Sequence, residues 1–281
     1  MRLRFEEAAR RTRFMAGAVA LCTLSACASS PATTTDSRAS SYARTADGKP
    51  DLNGIWQAMN SANWNIEAHE AKQGPVVALG AAFAVPPGIG VVEGGDIPYQ
   101  PAALAKRNEN AANWVTRDPE VKCYMPGIPR ATYQGFTFQI VKYTDTVLMA
   151  YEFASASRIV RMNSTEKSPA PAWMGWSIGK WEGDTLVVDV TDQVEDTWFD
   201  RAGNFHSDEL HVVERFTPVD ANTIDYEATI EDAKFFTRPC KMRMFLYRRL
   251  EPNAQLMEYK CVPFVEELMY GHLRQKPTAG K

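Results

Sequence analysis

From residue 136 onward, apolar and polar residues alternate in short runs separated by turn-forming residues. Residues 136–143 and 147–153 flank Thr144-Asp145, and 174–181 and 185–191 flank Glu182-Gly183-Asp184. Residues 210–217 and 223–230 flank Val219-Asp220-Ala221-Asn222, and 241–249 and 255–262 flank Glu251-Pro252-Asn253. Alternation of period two bounded by Gly, Pro, Asn and Asp predicts four antiparallel hairpins. A further strand is expected near 54–57. Pro101, suited to a first helical turn, predicts one short helix over 101–114, ahead of the hairpins.

Pairing each hairpin symmetrically about its turn sorts the two faces. The apolar face collects Phe136, Phe138, Ile140, Met149, Tyr151 and Phe153 from the first hairpin, and Trp176, Ile178, Leu186, Val188 and Val190 from the second. The third adds Leu210, Val212, Phe216, Ile224, Tyr226, Ala228 and Ile230, and the fourth Met242, Met244, Leu246, Met257, Tyr259 and Cys261. Thr137, Gln139, Asp189, Arg215, Asp225, Glu227 and Lys260 fall on the opposite face, which suits water. Eight or more meandering strands with one apolar face predict a mainly β protein. The expected form is an antiparallel meander closed into a lipocalin-like up-and-down barrel, with a β-sandwich as the alternative. An inner face this rich in aromatics and Met is either a packed core or the wall of a cavity for one small hydrophobic molecule. Phe138, Tyr151, Trp176, Phe216, Met244 and Tyr259 are the candidate ligand contacts.

The N-terminal part adds an address. Arg2, Arg4, Arg10, Arg11 and Arg13 precede an apolar run over 14–24, too short to span a bilayer as a helix but the length of a signal-peptide core. Leu24-Ser25-Ala26-Cys27 then reads as a lipobox, so residues 1–26 are expected to be a signal peptide and Cys27 the site of lipidation. Acyl chains contribute about 0.8 kcal/mol per buried CH₂, so several on one cysteine make a durable membrane anchor. Ala28 is not an acidic retention residue, which points to the outer membrane, facing the periplasm. Residues 28–49, rich in Ser, Thr, Ala and Pro, are expected to form a flexible tether, with one β-rich domain over 50–281. Without the five Arg and two Glu of the signal segment, the formal charge of −3 becomes −6. That balance argues against nucleic acid as a partner. Of Cys123, Cys240 and Cys261, two can pair in an oxidising compartment and one is left over.

Glu214 is the sharpest candidate for chemistry. It falls on the apolar face between Val212 and Phe216, opposite Tyr226, where desolvation would make it an acid or base with Tyr226 as its hydrogen-bond partner. The alternative is a structural ion pair with a basic side chain such as Lys180 or Arg248. His211 and Asp189 are further candidates, although His211 points to the other face in this register. Cofactor-free acid–base chemistry such as isomerisation, cyclisation or dehydration needs only proton transfer in a dry cavity, and the alternative is a non-catalytic carrier of apolar ligands. No cofactor motif is present, and none is expected. The acidic connection 192–209 offers a weaker alternative, a metal-dependent hydrolase using Asp200, His206 and Asp208.

Several motifs resemble those of a large family of uncharacterised secreted bacterial proteins. They are Asp47-Gly48-Lys49-Pro50-Asp51-Leu52-Asn53-Gly54-Ile55-Trp56, Ile97-Pro98-Tyr99-Gln100-Pro101, and Cys123 with Pro126-Gly127 and Pro129-Arg130. Residues 181–189, Trp-Glu-Gly-Asp-Thr-Leu-Val-Val-Asp, and His206-Ser207-Asp208 leading to Glu214-Arg215-Phe216 complete the set. The likeness spans nearly the whole mature chain and implies secretion and a β architecture without naming a reaction. Trp176 stands where members commonly carry histidine, and Asn163-Ser164-Thr165 where they carry a basic turn.

Overall fold

Nine strands, joined in chain order, close into a barrel in this computed structural model, which describes residues 41–274. They are β1 (Gly54–Ala58), β2 (Phe138–Lys142), β3 (Thr146–Tyr151), β4 (Ser157–Met162), β5 (Trp176–Glu182), β6 (Thr185–Thr191), β7 (His211–Asp220), β8 (Thr223–Glu231) and β9 (Cys240–Arg248). The protein is thus mainly β, a lipocalin-like barrel and not a sandwich. The expected signal segment, Cys27 and the first part of the expected tether lie outside the described residues. Residues 41–49, expected within the tether, are bonded to the barrel: Arg44 grips Asp184 with two bonds of 2.8 and 2.7 Å, and Lys142 pairs with Asp47.

One junction departs from a simple meander. Strands β4 and β5 run parallel, with Val160 opposite Ser177 and Met162 opposite Gly179. Residues 163–175 supply the crossover such a pair requires. Strand β4 has no counterpart in the four expected hairpins because its pattern is inverted. Arg158 and Val160 point into the barrel, whereas Ile159 faces solvent.

The second hairpin forms, but its first strand is out of phase with the expectation. The two-residue turn Gly183-Asp184 sets Ile178 opposite Asp189 and Gly179 opposite Val188. The inward residues of β5 are therefore Ser177, Gly179 and Trp181, and Trp176 and Ile178 lie outside. The fourth hairpin does not form. The free edge of β9 pairs with β1, Trp56 opposite Arg248 and Ala58 opposite Leu246, and that pairing closes the barrel. A closed barrel has no edge left to offer residues 255–262. They run instead over the outside, where Tyr259 packs on Phe136 (4.5 Å) and Phe153 (5.4 Å), and Cys261 bonds Cys123. Cys240 stays a buried thiol, its pKa pushed up to about 11 by burial.

The interior is filled by its own side chains. Trp56, Phe138, Met149, Leu186, Phe216, Tyr226, Met242 and Leu246 are almost fully buried, with Phe138 stacked on Tyr151 at 5.4 Å and Phe216 against Tyr226 at 5.0 Å. A cap is built from α1 (Pro101–Ala112), α2 (Trp114–Arg117), α3 (Arg130–Tyr133), the loops near 59–100 and 192–209, and α4 (Val265–Tyr270). Helix α1 matches the helix expected over 101–114.

Trp56 sits at the closure point, with its Nε1 donating to Leu52 O at 2.9 Å and the Arg248 guanidinium 4.3 Å above its ring. Trp56→Ala is expected to cost about 3–5 kcal/mol, as large aromatic truncations in cores do, read as a drop in the urea midpoint at unchanged slope.

Candidate functional site

Alternation along β7 turns Val212, Glu214 and Phe216 inward, so a carboxylate enters the middle of an apolar barrel. Such a group is tolerated only if it is paired and hydrogen-bonded. Arg158 meets that need from β4, with its Nη1 2.5 Å from Glu214 Oε2 and its Nη2 3.1 Å from Oε1. Tyr226 donates to Oε1 at 2.8 Å, and Arg158 Nε donates to the Tyr151 hydroxyl at 3.1 Å. Small Ser177 leaves room beside the guanidinium. Burial acts to lower the Arg158 pKa, but Glu214 and Tyr151 outweigh it and raise it, so the cation persists. Burial raises both tyrosine pKa values, keeping the phenols neutral. The ion-pair alternative thus describes Glu214, although the partner is Arg158. Lys180 is outside the barrel on Glu182, and Arg248 donates to the Ala221 and Asn53 carbonyls.

The other sequence candidates scatter. Phe138, Tyr151, Phe216 and Met244 line the interior and fill it. Trp176 lies outside, under the Arg161 guanidinium at 3.6 Å, and Tyr259 packs on the outer wall. His211 and Asp189 meet on the outer face, Nε2 to Oδ2 at 3.1 Å, and Glu231 takes the other ring nitrogen at 3.0 Å. Burial acts to lower the His211 pKa, but its bonds to Glu231 and Asp189 prevail and raise it. Held by two carboxylates on the outer face, this imidazole is on the opposite side of β7 from Glu214.

The loop 192–209 turns inward rather than waving in solvent. Asp200 accepts from Ile66 N at 2.9 Å and Asn204 Nδ2 at 2.7 Å, and burial pushes its pKa up to about 6. His206 bonds Thr197 at 2.6 Å and the Ser207 carbonyl at 2.7 Å, and burial pushes its pKa down to about 4. Asp208 pairs with Lys234 on the surface. These three belong to separate networks, so the proposed metal set is not assembled, and no other group of three metal-ligating side chains is found among the described residues.

What the loop does build is a cleft in the cap. A buried chain of charges runs from Asp118 through Arg130 (2.7 Å) and Glu120 (2.6 Å) to Arg201 (2.8 Å). Burial alone would raise the Glu120 carboxyl, but Arg201 and Arg130 beside it bring it down to about 2. Arg201, so fixed, lies 4.5 Å over the Trp64 ring and 5.3 Å over that of Trp114. The two indoles meet edge to face at 6.0 Å. They wall a cleft of about 180 Å³, completed by Asn65, His69, Lys72, Val85, Arg107, Ala111 and Ala202. The other main clefts among the described residues also lie outside the barrel, including an open groove on the outer face of β5–β7.

The chain matches no protein-family model and no curated protein. The site is therefore read from its geometry. Of the residues that shape the cap cleft, only Arg201 and Ala202 lie in a sequence candidate, the 192–209 connection, because the others come from two separate segments, near 64–85 and 107–114, that meet it only in the fold. Arg158 was legible only indirectly, through the requirement that a buried Glu214 find a cation.

Removing one partner of the barrel pair strands the other charge. Arg158→Met and Glu214→Leu are each expected to cost about 3–5 kcal/mol, with the double variant recovering most of the loss. Urea unfolding of the four proteins checks this; single losses under about 1 kcal/mol would contradict the assigned pair.

Proposed function

We propose that this protein is an envelope lipoprotein, anchored through Cys27, that binds a small hydrophobic molecule in the cap cleft and carries it rather than transforming it. The observation that carries the reading is the corner made by Trp64 and Trp114 under Arg201. It offers an open apolar wall with a fixed cation, whereas the barrel interior is occupied by its own side chains. An apolar cavity of about 150 Å³ accommodates benzene, so a cleft of about 180 Å³ suits a single-ring compound. The neutralisation of Glu214 by Arg158 favours carriage over acid–base turnover. The lipobox supports the location, and the Cys123–Cys261 disulfide supports an oxidising compartment. The likeness to secreted bacterial proteins agrees with that address.

Two experiments test this reading. Cys27→Ser is expected to move the protein from the membrane to the soluble fraction of fractionated cells, and unchanged partition would refute the anchor. Titration of the purified domain with benzyl alcohol is expected to quench tryptophan emission saturably. Trp114→Ala should weaken binding about tenfold, the 1.4 kcal/mol that an aromatic contact with burial supplies. Binding unaffected by that change, or no binding, would remove the cleft as the site.

A further inference from the structure

The polar part of the cap cleft is one-sided. Asn65, His69, Lys72, Arg107 and Arg201 line it, and every one of these side chains can donate a hydrogen bond, while no carboxylate does. Two of the cations are already engaged. Arg107 pairs with Glu67 at 3.1 Å, and Arg201 is held by Glu120. Glu67 is fully committed, since its other oxygen accepts from Ile97 N at 2.9 Å. Lys72 makes no ion pair among the described residues, and Glu70 stands only at the outer continuation of the cleft, with Glu67.

His69 is held in a defined orientation. Its backbone pairs with Gly88 in both directions, N to O at 2.8 Å and O to N at 2.9 Å. A side chain at Gly88 would collide with the imidazole ring, so glycine is what lets the ring lie there. Nδ1 faces the Glu67 carbonyl at 2.9 Å; a carbonyl only accepts, so Nδ1 carries a hydrogen. Nε2 is then the free atom, buried and without a partner. In the neutral ring it is an acceptor, and in the imidazolium it is a donor.

We propose that the ligand is a single-ring carboxylate, its ring on the Trp64–Trp114 corner and its carboxylate shared by Lys72 and His69, with His69 Nε2 donating to it. This rests on the reading of the cleft as a ring-binding site. A carboxylate has only acceptors, so it matches an all-donor lining and requires the imidazolium form. The charged and polar groups that line the same clefts as His69 are Glu67, Glu70, Lys72, Arg107, Arg201 and Asn65, and Ser61 lies with the His69 ring beside Gly88.

Benzoate and its uncharged isostere benzamide, titrated into the domain, test the idea by calorimetry. Benzoate is expected to bind about tenfold more tightly than benzamide, the scale of a charge-assisted hydrogen bond. His69→Leu and Lys72→Met should each weaken benzoate and leave benzamide unchanged, and His69→Gln, which keeps a donor, should retain most of the benzoate affinity. Equal binding of both compounds would overturn the carboxylate assignment while leaving the ring site standing. Benzoate affinity unchanged in His69→Leu would overturn the role of His69. If neither compound binds, the ring-binding reading of the cleft falls as well.

Discussion

A carboxylate at the middle of a closed apolar barrel leaves the surrounding chain few choices, and Glu214 imposes that constraint here. Its charge needs a cation of fixed geometry, and Arg158 reaches it with two nitrogens while Tyr226 takes a further lone pair. The demand propagates. Strand β4 must turn an arginine inward and an isoleucine outward, and β5 must present Ser177 beside the guanidinium, while Gly179 makes room for Val160 and Met162. The parallel β4–β5 junction brings Val160 opposite Ser177, setting these small residues next to β4. Around the pair, packed aromatic side chains fill the remaining volume.

The same physics, used differently, organises the cap. There a buried sequence of opposite charges, Asp118, Arg130, Glu120 and Arg201, spans segments far apart in the chain. In the barrel every charge is enclosed. In the cap the last guanidinium comes out under two indoles and faces a cleft. A fixed cation over aromatic faces is a preorganised surface, because the ordering cost is met on folding rather than on binding. The disulfide between Cys123 and Cys261 ties the C-terminal segment onto the same region.

Much of the barrel was legible in the sequence. The first and third hairpins and β9 follow from strict alternation, because each faces the core on one side and water on the other. Errors arose where that premise failed. Strand β4 was missed because an inward arginine and an outward isoleucine reverse the pattern. Strand β5 was read one residue out of phase because its inner positions are small or polar, Ser177 and Gly179, while its outer ones include Trp176 and Ile178. Residues 255–262 alternate like a strand, but the edge they would pair with is already taken by β1. At the site, Glu214 and Tyr226 were found from their register and Arg201 only as part of the 192–209 connection, whereas Arg158, Trp64, His69, Lys72 and Arg107 were not.

The local pattern of side chains by itself determined the β class, the placement of Glu214 inside, the helix after Pro101 and the expected lipidation at Cys27. Each depends on residues within a few positions of one another, or on the period of a single strand. Tertiary structure alone decided the Arg158 partnership, the closure of β9 on β1, the Cys123–Cys261 pairing and the cap cleft. These join segments tens of residues apart, and the choice among possible partners is made by the closed geometry of the barrel and the cost of leaving a buried charge unpaired.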